Sequence, residues 1–198
     1  MKKTLTVLMM LLLAAMLIVS CNNNPKQEEK VEVGGTIERG TYPTTAGETY
    51  AGKPITWKVL AITDGRALVI SEKLLTSKAH ASTSVSGLAW ADSEINKWLN
   101  NTSSDGFIAQ YGLGDVSMAQ VGDVNGKVFL LTKTEAGTYF SDDASRVAYD
   151  LSGTASQWWL ASINSSKSYY DTVYLEGIFS SSPVHYEQGV RPALWINL

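Results

Sequence analysis

The sequence predicts an α+β fold, a single mixed domain of short antiparallel strands and short helices. Three observations predict it. Short apolar runs with two-residue alternation recur along the chain. Helix start signals fall between some of them. The two kinds of element do not follow the regular strand–helix–strand order of a doubly wound sheet.

The first element is Ile55-Thr56-Trp57-Lys58-Val59, which alternates apolar and polar residues as a half-buried strand does. Asp64-Gly65 is a turn signal, and Ala67 to Ile70 is a second apolar run, so the two runs pair as a hairpin. Asp92 is the expected N-cap of a helix over residues 93–99, with Ile95, Trp98 and Leu99 on one face. Val128 to Leu131 reads as a buried strand. It leads into Thr132-Lys133-Thr134-Glu135, a capping box that opens a short helix running through Phe140.

Gln157 to Leu160 is a strand with adjacent tryptophans, and Asp171 to Leu175 is another. Alternation along the latter puts Tyr170 and Tyr174 on one face and Val173 and Leu175 on the other. The apolar pair is expected to face the core and the tyrosines to face solvent. Val190 to Ile196 closes the chain as a core strand, with Val190, Leu194 and Ile196 on one face and Pro192 at an edge or bulge. The tryptophans at 57, 90, 98, 158, 159 and 195 are expected mostly in the core.

The chain begins differently. Lys2 and Lys3 precede an apolar stretch from Leu5 to Val19 that ends in Ile18-Val19-Ser20-Cys21. The stretch falls short of the roughly 20 apolar residues that span a bilayer, and it suits a signal peptide. An aliphatic residue, a tolerant position and a small residue before Cys is the pattern cut by the lipoprotein signal peptidase. Residues 1–20 therefore read as a bacterial lipoprotein signal, and Cys21 as the lipidated residue. Asn22 to Gly35 is polar and free of aromatics, so residues 21–36 read as a flexible tether and residues 37–198 as one globular domain. This places the protein on the bacterial cell envelope. Asn22 after the cysteine points to the outer membrane where the cell has one, and otherwise to the outer face of the cytoplasmic membrane.

Cys21 is the only cysteine, which rules out an intramolecular disulfide and thiol chemistry in the folded part. Loss of two lysines with the signal makes the formal charge of −3 more negative. An acidic surface argues against nucleic acid as a partner, so the membrane contact is expected through lipid on Cys21 alone.

Catalytic signals are few. His80 and His185 lie among small polar or turn residues and read as surface histidines. There is no Gly-x-Ser-x-Gly elbow, no His-x-x-x-His metal pair and no phosphate-cradling glycine loop. Asp123-Val124-Asn125-Gly126 resembles the start of a calcium loop, but further acidic ligands do not follow, so a turn is expected and no metal or cofactor. Asp92-Ser93-Glu94 reads as a helix cap with a first-turn acid. Arg191 reads as a strand arginine stacked on Trp or paired with an acid. The suggestive stretch is Ser162 to Glu187, dense in Tyr, Ser, Asn and Asp, the residue types of adaptable recognition surfaces. Its candidate ligand contacts are Asn164, Tyr169, Tyr170, Asp171, Tyr174, His185 and Tyr186.

Several blocks carry a family resemblance. They are Gly40 and Tyr42, then Pro54-Ile55-Thr56-Trp57-Lys58-Val59-Leu60, then Trp90-Ala91-Asp92-Ser93 leading to Trp98-Leu99-Asn100. Val128-Phe129-Leu130-Leu131 before Glu135-Ala136 follows, then Trp158-Trp159-Leu160 and Gly189-Val190-Arg191-Pro192-Ala193-Leu194-Trp195-Ile196. From about residue 40 onward the chain resembles a bacterial domain of unknown function found in secreted proteins and lipoproteins. Relatives commonly have Arg after Trp-Trp-Leu, where this chain has Ala161. The layout is also similar to that of C-type-lectin-like domains, although the Glu-Pro-Asn and Trp-Asn-Asp triplets of calcium-dependent sugar lectins are absent. The family brings no activity with it. The expectation is a lipid-anchored, surface-exposed, non-catalytic binding module for an extracellular glycan or protein. The alternatives are an envelope hydrolase acting on glycan or cell-wall material and a structural lipoprotein without a soluble ligand.

Overall fold

The computed structural model describes residues 30–47, 49–119, 126–165 and 167–198. The signal segment, Cys21, most of the tether and the Asp123-Val124-Asn125 turn lie outside the described residues. In chain order the strands and helices are β1 (Thr36–Thr41), β2 (Pro54–Thr63), β3 (Arg66–Ser71), β4 (Thr76–Lys78), α1 (Glu94–Leu99), α2 (Phe107–Gln110), β5 (Met118–Ala119) and β6 (Val128–Phe129). They continue with α3 (Lys133–Tyr139), α4 (Asp143–Arg146), β7 (Trp158–Ile163), β8 (Tyr169–Val173), β9 (Phe179–Pro183), β10 (Gln188–Val190) and β11 (Ala193–Asn197). The fold class is α+β, as the sequence predicts.

The first sheet runs β1-β2-β3-β11-β5, with β6 also paired to β11. The β2–β3 hairpin turns at Asp64 and Gly65, both at positive φ (49° and 70°), the backbone twist that suits a tight two-residue turn. The second sheet runs β4-β10-β7-β8-β9 and includes one parallel pairing, between β10 and β7. The last expected strand is thus two strands. Val190 ends β10 in the second sheet, Arg191 and Pro192 make the crossing, and β11 enters the middle of the first sheet. Pro192 has no N–H to give a ladder, and it sits where the chain changes sheets.

Two apolar clusters form the core. Ile55, Trp57, Val69, Leu99, Trp159, Tyr170, Val190, Leu194 and Ile196 belong to the first. Leu194 and Ile196 share a buried face of β11, as their alternation predicts, whereas Val190 reaches the same cluster from β10 in the other sheet. Leu68, Ile70, Phe129, Leu131, Trp158, Leu160 and Val173 build the second, which is covered by Ala136 of α3 and by Phe140 at the C-cap of that helix. Both faces of β7 and β8 are therefore buried, since Trp159 and Tyr170 enter one cluster and Trp158 and Val173 the other.

The Thr132 capping box is present. The Glu135 amide donates to Thr132 Oγ1 at 3.2 Å, and the Thr132 amide donates to Glu135 Oε2 at 2.7 Å. The cap of α1 falls one residue later than expected, on Ser93, whose Oγ accepts from the Asn96 amide at 3.1 Å. Asp92 instead ends a 3-10 turn over Trp90–Asp92. Asn100 closes the Trp-Leu-Asn block by bonding the backbone of β6: Nδ2 donates to Val128 O at 2.9 Å, and Oδ1 accepts from the Lys127 and Val128 amides. Arg191 is buried. Its Nε donates to Ser71 O at 3.0 Å, and its guanidinium lies 5.1 Å from the Trp158 ring and 5.2 Å from Phe140.

His80 corrects the surface reading made from its neighbours. It is fully buried, stacked on Tyr170 and edge-on to Trp159. Its carbonyl accepts from the Glu94 amide at the start of α1. The next residue, Ala81, is also buried, and its amide donates to Val184 O.

Candidate functional site

A polar cleft of about 500 Å³ opens where α3 begins and the β7–β8–β9 face emerges from under it. Register builds its floor. Asp171 on β8 pairs with Ser181 on β9, and Val173 pairs with Phe179, so these four residues share one face. Val173 and Phe179 pack at the second cluster, whereas Asp171 and Ser181 lie beyond it at the cleft. The start of α3 is tied to this sheet by its own backbone: the Lys133 amide donates to Ser162 Oγ on β7 at 2.8 Å. That bond brings the Lys133 side chain over the cleft.

Lys133 Nζ stands 3.8 Å from Asp171 Oδ1, with the lysine half exposed and the carboxylate largely buried. The same ammonium lies 5.5 Å from the centroid of the Phe179 ring, which also carries the Arg146 guanidinium at 4.5 Å. Burial raises the Asp171 carboxyl above its ordinary value, and Lys133 opposes that shift. Ile163, Asn164 and Ser165 form the other rim at the turn from β7 to β8. The turn is closed by backbone bonds from Asn164 N to Tyr169 O and from Lys167 N to Asn164 O.

The structure therefore brings together two of the residues expected from sequence, Asn164 and Asp171. The others are dispersed. Tyr170 is 1% exposed, which corrects the expectation that its ring faces solvent. It packs in the first cluster against His80, and its hydroxyl donates to Leu88 O at 2.7 Å. β8 stops at Val173, so Tyr174 and Leu175 lie in the turn that follows. Both are 39% exposed, and Leu175 does not reach the core as expected. Tyr169 is partly exposed beside Pro183, at the opposite end of the hairpin from Tyr174. His185 and Tyr186 form a ring pair 4.8 Å apart on the turn past β9, and neither lines the cleft. Sequence reading missed Lys133, whose four-residue block announced only a helix cap; Phe179 and Ser181 fall inside the Ser162 to Glu187 stretch but are not among its candidate contacts.

A smaller cavity of about 240 Å³ lies on the first sheet, lined by Glu38, Tyr42, Tyr50, Lys53, Glu72 and Lys73 among others. Glu38 on β1 pairs with Thr56 on β2, and the amide of Glu72, just past the end of β3, donates to Thr56 O, so the two glutamates flank Thr56. Among the described residues, no three His, Cys, Asp or Glu side chains gather as a metal site, and no helix is long and apolar enough to cross a membrane.

The fold and the cleft define a compact α+β domain with a polar recess built by a sheet and a helix start. Residues 64–198 match the family described as Domain of unknown function (DUF6273), and the chain belongs to that family. The matched region begins at the β2–β3 turn and contains every residue of the cleft. No curated protein and no solved structure matches the chain.

Proposed function

We propose that this protein is a lipid-anchored, surface-exposed module of the bacterial envelope that binds an extracellular glycan or protein without catalysing a reaction. The observation that carries the binding reading is the Lys133–Asp171 cleft. It gathers an ammonium, a carboxylate, an amide and several hydroxyls in one recess, with Lys133 on a capped helix, Asp171, Ser180 and Ser181 on the sheet, and Asn164 and Ser165 on the turn that joins β7 to β8. Fixed polar groups of this kind orient a ligand at small entropic cost. The export signal and Cys21 support the anchoring, and the polar tether after Cys21 supports a domain held off the membrane. The test is a screen of the full chain against immobilised envelope glycans and surface-protein fractions. The reading expects a partner whose capture weakens in Asp171→Asn. A partner captured equally well by that variant would move the site elsewhere.

A second reading, an envelope hydrolase, draws on the Glu38–Glu72 cavity, since paired carboxylates serve glycoside cleavage. It expects release of reducing sugar from envelope glycan by the full chain, abolished in Glu38→Gln and Glu72→Gln. No release from any such material would remove it.

A further inference from the structure

We infer that the Lys133–Asp171 cleft takes a neutral sugar, held by two adjacent hydroxyls that bridge the ammonium and the carboxylate. This rests on the binding-module reading and narrows it to one chemical class. Among the described residues, Lys133 and Asp171 are the only charged groups lining the cleft, one of each sign and 3.8 Å apart. An anionic ligand drawn to Lys133 meets the Asp171 carboxylate at once, and a cationic ligand drawn to Asp171 meets the ammonium. A neutral ligand meets neither penalty.

The hydrogen-bond capacity of the pair also suits a hydroxylated ligand. At 3.8 Å the pair is longer than a direct N–H···O bond of about 2.7–3.2 Å, so neither head group is consumed by the other. An ammonium only donates and an ionised carboxylate only accepts. A hydroxyl does both. One hydroxyl of a vicinal pair accepts from Lys133 Nζ while its neighbour donates to Asp171 Oδ1, and each keeps capacity for Ser165, Ser180, Ser181 or Asn164 on the rim. The cleft is also preorganised. The Lys133 backbone is fixed by Ser162, and its ammonium is held over the Phe179 ring, so the side chain is placed before a ligand arrives. Ile163, 38% exposed on the rim, offers an apolar wall to the C–H face of a sugar ring.

The experiment uses the full chain in a detergent without sugar head groups. The probes are immobilised oligosaccharides in three sets: neutral hexose and N-acetylhexosamine chains, uronate-bearing chains, and chains with free amines. Capture is measured for the wild type, Lys133→Met, Asp171→Asn and Tyr174→Ala, with melting curves to confirm folding. The expected result is capture of neutral chains, competed by the free neutral sugar and little changed by salt. Each cleft variant then weakens capture at least tenfold, and Tyr174→Ala leaves it unchanged. If Asp171→Asn does not fold, Lys133→Met, on a half-exposed stem, decides the matter.

Preferential capture of uronate chains lost only in Lys133→Met, or of amine chains lost only in Asp171→Asn, overturns the neutral-sugar inference and leaves the binding module standing. So does neutral capture that both variants retain. Capture of none of the three sets also overturns it. In that case a surface protein held by the wild type and lost by Asp171→Asn preserves the module, and the lack of such a protein removes the module as well.

Discussion

His80 lies on the face of Tyr170, with ring centroids 3.9 Å apart and 20° between the planes. Trp159 and Trp90 meet the imidazole edge-on at 4.6 and 5.8 Å. Neither ring nitrogen of His80 finds a hydrogen-bond partner among the described residues. The box is apolar on the sides these rings form, and burial holds the His80 pKa down, from 6.5 to about 3.

A dependence of stability on pH follows. Below pH 6.5 the unfolded chain binds a proton at His80 that the folded chain refuses. Stability from this group is fully present above pH 6.5 and is lost as pH falls toward 3, with a limiting slope of about 1.4 kcal/mol per pH unit. Between pH 6.5 and 5 the lowered carboxyls of Glu94, Asp142 and Asp150 add little, because they titrate at lower pH, and the raised carboxyl of Asp171, which acts with the opposite sign, is common to the wild type and His80→Phe. Denaturant melts across that range are expected to slope downward for the wild type and to flatten in His80→Phe. The variant should equal or exceed the wild type at pH 7, since it removes two buried polar atoms without partners. An unchanged slope would show that His80 is hydrated in solution.

The same stacking separates the two tyrosines that the sequence had placed side by side. Tyr170→Ala removes a buried ring and the bond to Leu88 O, and it is expected to cost about 3–5 kcal/mol. Tyr174→Ala, in an exposed turn, is expected to stay within about 0.5 kcal/mol. Urea denaturation of the two single variants checks this. Equal small losses would put Tyr170 back at the surface.

Much of the local structure was legible, because its causes are local. Asp64-Gly65 specifies a turn by itself, and Thr132 and Glu135 specify a helix start by themselves. Tyr170 was not legible, for a definite reason. Alternation divides a strand into a core side and a solvent side only when one face is wet, and β8 has clusters on both faces. The change of sheet at Arg191-Pro192 was half visible: the proline marked an interruption but not where the chain went next. The cleft was legible through Asn164 and Asp171 and hidden through Lys133. The Lys133–Asp171 contact joins a helix start to a distant strand, and no spacing along the chain encodes it.

The end of the chain is structural. β11 pairs with β3 on one side and with β5 and β6 on the other, and it buries Ala193, Leu194 and Ile196. Each large apolar side chain so buried contributes about 1.5–3 kcal/mol. Deleting everything after Gly189 also opens the first sheet in its middle. The truncated chain is expected to give no cooperative thermal transition. A soluble truncation that melts cooperatively would show that the two sheets hold together without β11.

In the proposed function, anchoring depends on one atom, the sulfur of Cys21. Cys21→Ser is expected to lose metabolic lipid label and to leave the membrane fraction, because the tether carries no long apolar run of its own. Retained label in this variant would contradict the lipoprotein reading.

In the proposed module, ligand binding is seated in the cleft and not on the exposed tyrosines. The most direct measurement compares three full-length proteins on the same immobilised envelope glycan and surface-protein fractions: the wild type, Asp171→Asn, and the double variant Tyr174→Ala/Tyr186→Ala. The account predicts that Asp171→Asn weakens capture at least tenfold, about 1.4 kcal/mol or more, and that the tyrosine double variant stays close to the wild type. Full capture by Asp171→Asn together with loss in the tyrosine variant would contradict it.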